Sequence, residues 1–153
     1  MEPKETVQAF MNALQAGDFK KALSFIASDE FFCAPSLSIV GMVLACPWME
    51  IGARLRSAFP DLDYQFKIES VDGNIVRFST QIQGTHTAEL DLTVMKMGMI
   101  PATHKSLRTN REYGIATVRD GRIISWAMES MKCTNLFTLL ERLGVKSQPA
   151  HVN

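Results

Sequence analysis

The chain carries no net charge, because sixteen basic residues cancel sixteen acidic ones. A neutral surface has no long-range field to draw it onto a phosphate backbone, so no nucleic-acid partner is expected. Cysteine is scarce and odd in number. Cys33, Cys46 and Cys133 stand far apart, and neither a zinc pattern nor a disulfide framework can be written from them. They read as reduced thiols of a cytoplasmic protein. Long apolar runs are lacking too. The longest, Ile39–Pro47, falls short of a bilayer's width, so no membrane association is expected. The charged stretch Met1–Thr6 leads straight into an amphipathic pattern rather than a secretory core. Internal repeats and low-complexity tracts are missing. What is present, 153 residues of which 46% are apolar and 21% charged, suits one domain (1–153) that buries a core without disulfides or metal. The excess is in methionine, with nine.

Val7, Phe10, Met11 and Leu14 repeat at helical spacing, and Gly17-Asp18 closes that helix. A second helix is expected over Phe19–Ser28 and an irregular stretch over Asp29–Val40. A third helix runs from Pro47 to Pro60, with Trp48, Ile51, Leu55 and Ala58 on one face. The period then changes to two. Tyr64, Phe66 and Ile68 alternate with polar residues, and Asp72-Gly73 marks a turn. Val76, Phe78, Thr80 and Ile82 continue as a half-buried strand whose pattern extends through Gly84–Leu92. A Met-rich connection, Val94–His104, leads to a strand over Ser106–Val118. The Asp120-Gly121 turn precedes a return strand over Arg122–Met131. Leu136, Leu139, Leu140 and Leu143 mark a last helix, ended by Gly144, and the tail 145–153 reads as loose. Helices first, then strands in hairpin order, predict an α+β fold. In it a curved antiparallel sheet wraps around the N-terminal helices, leaving a cone with an apolar pocket.

Several stretches carry a family likeness. Val7-Gln-Ala-Phe-Met-Asn-Ala-Leu-Gln-Ala-Gly-Asp18, Arg56-Ser-Ala-Phe-Pro-Asp61 and Gly84-Thr-His-Thr-Ala-Glu-Leu90 are three of them. Met99-Ile-Pro-Ala-Thr-His-Lys105 and Val118-Arg-Asp-Gly-Arg-Ile123 follow in the same order. Together they make the chain resemble the SnoaL-like polyketide cyclases, within the superfamily of nuclear transport factor 2. The resemblance implies a conical pocket, cofactor-free chemistry and often a homodimer through the outer sheet face. It does not decide function, which lives in the site rather than the fold.

The family's cyclases close a ring with a base beside a carbonyl and a donor for the developing oxyanion. The positions that the resemblance assigns to these groups fall on Trp126 and Met128 of the last strand and near Gly114 of the strand before it. None carries a proton. Glu129 is the nearest carboxylate, but one step along a strand puts it on the opposite face. Other polar candidates remain. His86 shares the alternation of Val76, Phe78, Thr80 and Ile82, as a pocket base or as a donor to a ligand carbonyl, or else as a bonded core histidine. Arg108, Asn110 and Glu112 fall on one strand face, where Glu112 is the best substitute carboxylate. Trp48, Phe59, Tyr64, Phe78, Arg108, Trp126 and Met128 are the expected ligand-binding residues, and methionine suits a soft wall.

Three functions follow as expectations. The first is binding of a small, mostly apolar carbonyl compound, polyketide, terpenoid or similar, with weak acid/base isomerase-like chemistry anchored by His86 and Glu112. The second is an active cyclase or hydrolase using His86 with Glu112 or Glu129. The third is a non-catalytic dimeric interaction module. No metal site and no cofactor are expected.

Overall fold

The first helix, α1 (Pro3–Ala16), starts on a proline whose missing N–H is no loss in a first turn. It stops where Gly17 takes φ 77°, with the Asp18 N–H closing on the Ala13 carbonyl at 2.9 Å. Its buried residues Thr6, Val7, Phe10, Met11, Ala13 and Leu14 form the stripe expected from the sequence. The structure, a computed structural model, describes residues 1–34, 36–39, 42–45, 51–129, 134–144 and 151–152. The side chains of 36–39, 42–45, 134–137 and 151–152 lie outside that description.

The second helix, α2 (Phe19–Ser24), is shorter than expected. The backbone from Phe25 to Ala27 bonds to the sheet instead of continuing the helix: Ile123 N–H donates to the Phe25 carbonyl at 2.7 Å, and Ala27 N–H to the Ile123 carbonyl at 3.0 Å. The stretch read as irregular, Asp29–Val40, holds β1 (Phe32–Ala34) and β2 (Ser36–Ile39), and β3 (Met42–Ala45) comes after it. The third helix is described as α3 (Gly52–Ala58), and the proposed start at Pro47 lies outside the described residues. Phe59 leaves helical geometry just before Pro60, as a residue preceding proline does.

The main sheet is built from β4 (Lys67–Asp72), β5 (Ile75–Thr80), β10 (Glu112–Arg119) and β11 (Arg122–Met128), with β1 at its edge. Its order is β1-β11-β10-β5-β4. The expectation of an antiparallel sheet is corrected at one strand, since β1 runs parallel to β11. Between β5 and β10 lie β6 (Gln83–Thr85), β7 (Leu90–Asp91), a single 3-10 turn (Thr93–Met95), β8 (Met99–Ile100) and β9 (Ser106–Arg108). The pattern expected to run unbroken from Val76 to Leu92 is thus divided. After Thr80 the main chain exchanges partners: Gln81 N–H turns to the Tyr64 carbonyl at 3.0 Å, and β6 pairs with β9. The Met-rich segment does not present one face, because Met95 is buried and Met99 exposed.

Two bulges curve the sheet. The β10–β11 register passes from Thr117↔Ser125 to Val118↔Ile123, leaving Ile124 as the extra residue. Ile123 and Trp126 can therefore both face inward although they are three residues apart. Glu69 is the extra residue between β4 and β5. The concave side holds α1, which packs on β4, β5, β10 and β11. Trp126 is fully buried there, its ring 4.1 Å from Phe78, 5.0 Å from Phe10 and 6.4 Å from Phe66. The last helix, α4 (Thr134–Arg142), buries Leu139 and Leu140, and Leu143 is buried just after it. Of the tail read as loose, 145–150 and 153 lie outside the described residues, and β12 (His151–Val152) pairs with β2. Cys33 is disulfide-bonded, so the reading of all three cysteines as reduced thiols fails for it.

Candidate functional site

His86 follows β6 and is fully buried, as are Ile82, Phe78 and Val76. Its backbone is clamped: His86 N–H donates to the Lys105 carbonyl at 2.9 Å, and His104 N–H to the His86 carbonyl at 2.8 Å. The ring stacks on Phe59, with centroids 5.1 Å apart and planes 23° from parallel. The Thr103 backbone N–H donates to Nδ1 at 3.1 Å, and the Thr103 hydroxyl lies 2.9 Å from the same atom. A backbone N–H can only donate, so Nδ1 carries no proton. Burial is the main cause holding the pKa of His86 below its ordinary 6.5. The Ala88 backbone acts the other way, and the His104 charge adds to the lowering. The ring is therefore neutral at pH 7, with its proton on Nε2. Nε2 is buried and has no hydrogen-bond partner among the described residues.

This geometry separates the two roles expected for His86. A base needs a free lone pair, and that of Nδ1 faces Thr103. A donor needs an unspent N–H, which Nε2 supplies. Phe59, on which the ring stacks, is buried, as are Tyr64, Phe78, Trp126 and Met128. Tyr64 stacks on Phe66 at 5.2 Å, and burial pushes its phenol up to about 12, with Arg56 pulling the other way, so it stays protonated. Glu112 is half-buried at the start of β10, opposite Thr80, on the alternation of buried Gly114, Ala116 and Val118. Trp48 lies outside the described residues.

Two candidates are placed elsewhere. Glu129 is exposed on the convex face and pairs with Arg77 at 3.2 Å, which corrects its reading as a catalytic partner. The single face drawn through Arg108, Asn110 and Glu112 is also corrected. Thr109 is buried, its N–H donating to the Ile82 carbonyl at 2.8 Å and its hydroxyl accepting from Ile82 N–H at 3.0 Å. That bond draws Thr109 inward and leaves Arg108 and Asn110 exposed, and the alternation resumes out of phase at Glu112.

Neither a family model nor a curated protein matches the chain. Solved structures do. AclR, a proposed hydroxylase from Streptomyces galilaeus, aligns with a TM-score of 0.63 at 18% identity, over 93% of this chain and 95% of that one. IdmH, a proposed polyketide cyclase from Streptomyces antibioticus, aligns with a TM-score of 0.61 at 22% identity, over 91% and 99%. A proposed SnoaL-like polyketide cyclase from Jannaschia sp. CCS1 gives 0.60 at 16% identity, over 94% and 92%. The chain has the SnoaL-like fold.

Within the SnoaL-like fold, the positions that sequence likeness assigns to acid/base chemistry are packed shut. Gly114 faces Phe78 and Met128 across the ladder. A Cβ at Gly114 would stand 2.5 Å from Phe78 Cζ and 3.0 Å from both the Ala127 carbonyl oxygen and Met128 Sδ. A side chain there, polar or otherwise, would have to displace Phe78. Sequence reasoning missed Thr103, which sets the His86 tautomer. It sits in a loop, where neither period applies. The available signal was that the Gly84–Leu90 and Met99–Lys105 stretches both carry the family likeness, and the structure brings them together at His86 and Thr103.

Proposed function

We propose that the protein binds a small, mostly apolar carbonyl compound, polyketide- or terpenoid-like, at His86, with Nε2–H donating to the carbonyl oxygen. The observation that carries this reading is the neutral, buried His86 whose Nε2–H is unspent among the described residues. A buried donor left unmade costs about 1–3 kcal/mol, which a ligand oxygen would recover. Phe59, Tyr64, Phe78, Trp126 and Met128 supply the apolar wall, and Glu112 the second polar anchor. A donor that polarises a carbonyl near a carboxylate supports weak isomerase-like proton transfer. The solved neighbours that are proposed cyclases favour the same ligand class.

Cyclase or hydrolase chemistry with His86 as base is the weaker reading, because the lone pair of Nδ1 faces Thr103. The interaction-module reading has one observation in its favour. Phe32, Tyr113 and Ile75 are 61%, 46% and 43% exposed on the convex face, so we propose that copies of the chain pair through it. Among the described residues no helix is long and apolar enough to cross a membrane. The disulfide of Cys33 argues against the cytoplasmic expectation, since disulfides persist in oxidising compartments.

Thermal-shift screening against aromatic polyketide, terpenoid and steroid ketones tests the ligand proposal. A binder at about 100 times its Kd adds about 2.7 kcal/mol of stability, a clear rise in Tm. His86→Ala should abolish that rise, whereas His86→Gln, which keeps an N–H donor, should retain part of it. No rise with any ketone class, or an equal rise with His86→Ala, refutes the proposal.

A further inference from the structure

A separate cleft of about 310 Å3 lies between β6, β9 and the chain after α3, lined by Asp61, Gln83, Thr85, Ser106 and Arg108 among others. His86 and its aromatic wall take no part in the lining. The polar groups of the cleft have a definite hydrogen-bond direction. Asp61 Oδ1 accepts the Thr85 N–H at 2.7 Å, and Oδ2 accepts the Thr85 hydroxyl at 2.8 Å. These bonds, the backbone one first, hold the Asp61 carboxyl below the usual carboxylate range, so it is ionised at neutral pH. Thr85 has one hydroxyl proton, and Asp61 takes it. In the 3.2 Å contact between the Thr85 and Ser106 hydroxyls, Ser106 must therefore donate. The remaining lone pairs of Ser106 and Asp61 are acceptors. Gly84 makes room for this arrangement, since a Cβ there would press on Asp61 Oδ1 at 3.3 Å and on Phe59 at 3.2 Å.

Arg108 supplies the opposite charge. Other described arginines have bonded guanidinium groups: Arg77 with Glu129, Arg119 with Glu30, Arg111 with Gln65 and Ser79, Arg56 with the Leu62 carbonyl. The Arg108 guanidinium has no such partner among the described residues. Its carbonyl is held by Arg142, and Lys105 Nζ reaches the Arg142 carbonyl at 3.3 Å. Arg108 is thus the cation of the cleft, facing the Asp61 carboxylate across the same lining.

We propose that this cleft binds a small hydroxylated anion, a carboxylate or phosphate ester with a neighbouring hydroxyl. Arg108 takes the anionic group, and Ser106 and Asp61 accept from the hydroxyl. The test is an NMR titration of backbone amides with D-glycerate and with glycerol 3-phosphate, which distinguishes a carboxylate from a phosphate ester. Acetate and inorganic phosphate serve as the unhydroxylated controls. Saturable shifts at Thr85, Ser106 and Leu107 are expected with at least one hydroxylated anion. Arg108→Gln should weaken that binding about ten-fold or more, the loss of one charge-assisted contact. Arg108 is exposed, so the variant should fold, and unchanged amide shifts elsewhere check this. The proposal is overturned if neither hydroxylated anion shifts these amides, if Arg108→Gln binds as tightly, or if acetate and inorganic phosphate bind equally well.

Discussion

Trp126→Ala should cost about 3–5 kcal/mol, the range for removing a large aromatic side chain from a core. Trp126 is fully buried on β11, and its ring meets Phe10, Phe66 and Phe78 from different elements, the nearest at 4.1 Å. Deleting it opens a cavity where α1, β4 and β5 converge on β11, and three rigid rings cannot collapse into it. Domains of this size are stable by about 5–15 kcal/mol, so the variant should be near the edge of folding at 37 °C. Urea unfolding measures this directly. A loss below about 1 kcal/mol would mean that Trp126 is not the centre of the core.

Gly114→Ala should cost about 1–3 kcal/mol despite adding one methyl group, and Gly114→Asp more, because a carboxylate would be buried without a partner. The added Cβ would stand 2.5 Å from Phe78 Cζ, and Phe78 cannot retreat because its ring is already 4.1 Å from Trp126. Phe78→Leu shortens the clashing end. In a double-mutant cycle it should recover part of the Gly114→Ala loss, whereas additive losses would place the strain elsewhere. This packing has a functional consequence. The position that likeness to the SnoaL-like cyclases gives to a polar partner is closed by shape, so restoring a carboxylate there would damage the core before it could restore chemistry.

The elements that the sequence revealed are those ruled by one periodicity. The α1 stripe from Val7 to Leu14 and the alternation from Val76 to Ile82 each reflect a single buried face, and burial writes such faces into composition. Departures from the pattern came where a local bond overrode the period. Thr109, bonded to Ile82, shifts the phase between Arg108 and Glu112. The bulge at Ile124 brings both Ile123 and Trp126 inward. The backbone at Phe25–Ala27 prefers Ile123 to another helical turn. None of these is visible without knowing which distant backbone group is waiting. The candidate site divides the same way. Burial of His86 was legible from alternation, but its tautomer depends on Thr103, seventeen residues away in a loop.

The proposed function rests on His86 as a neutral donor through Nε2. NMR of protein labelled with 15N in its histidine rings tests it most directly, read from pH 7 downwards with and without a ketone that binds. Because burial lowers the folded pKa, His86 should remain neutral at pH 7 and below 6.5, protonating only at lower pH than an exposed histidine. The proton is expected on Nε2, with that nitrogen alone shifting when the ketone binds. A charged ring at pH 7, a proton on Nδ1, or a ligand that leaves Nε2 unmoved would contradict it.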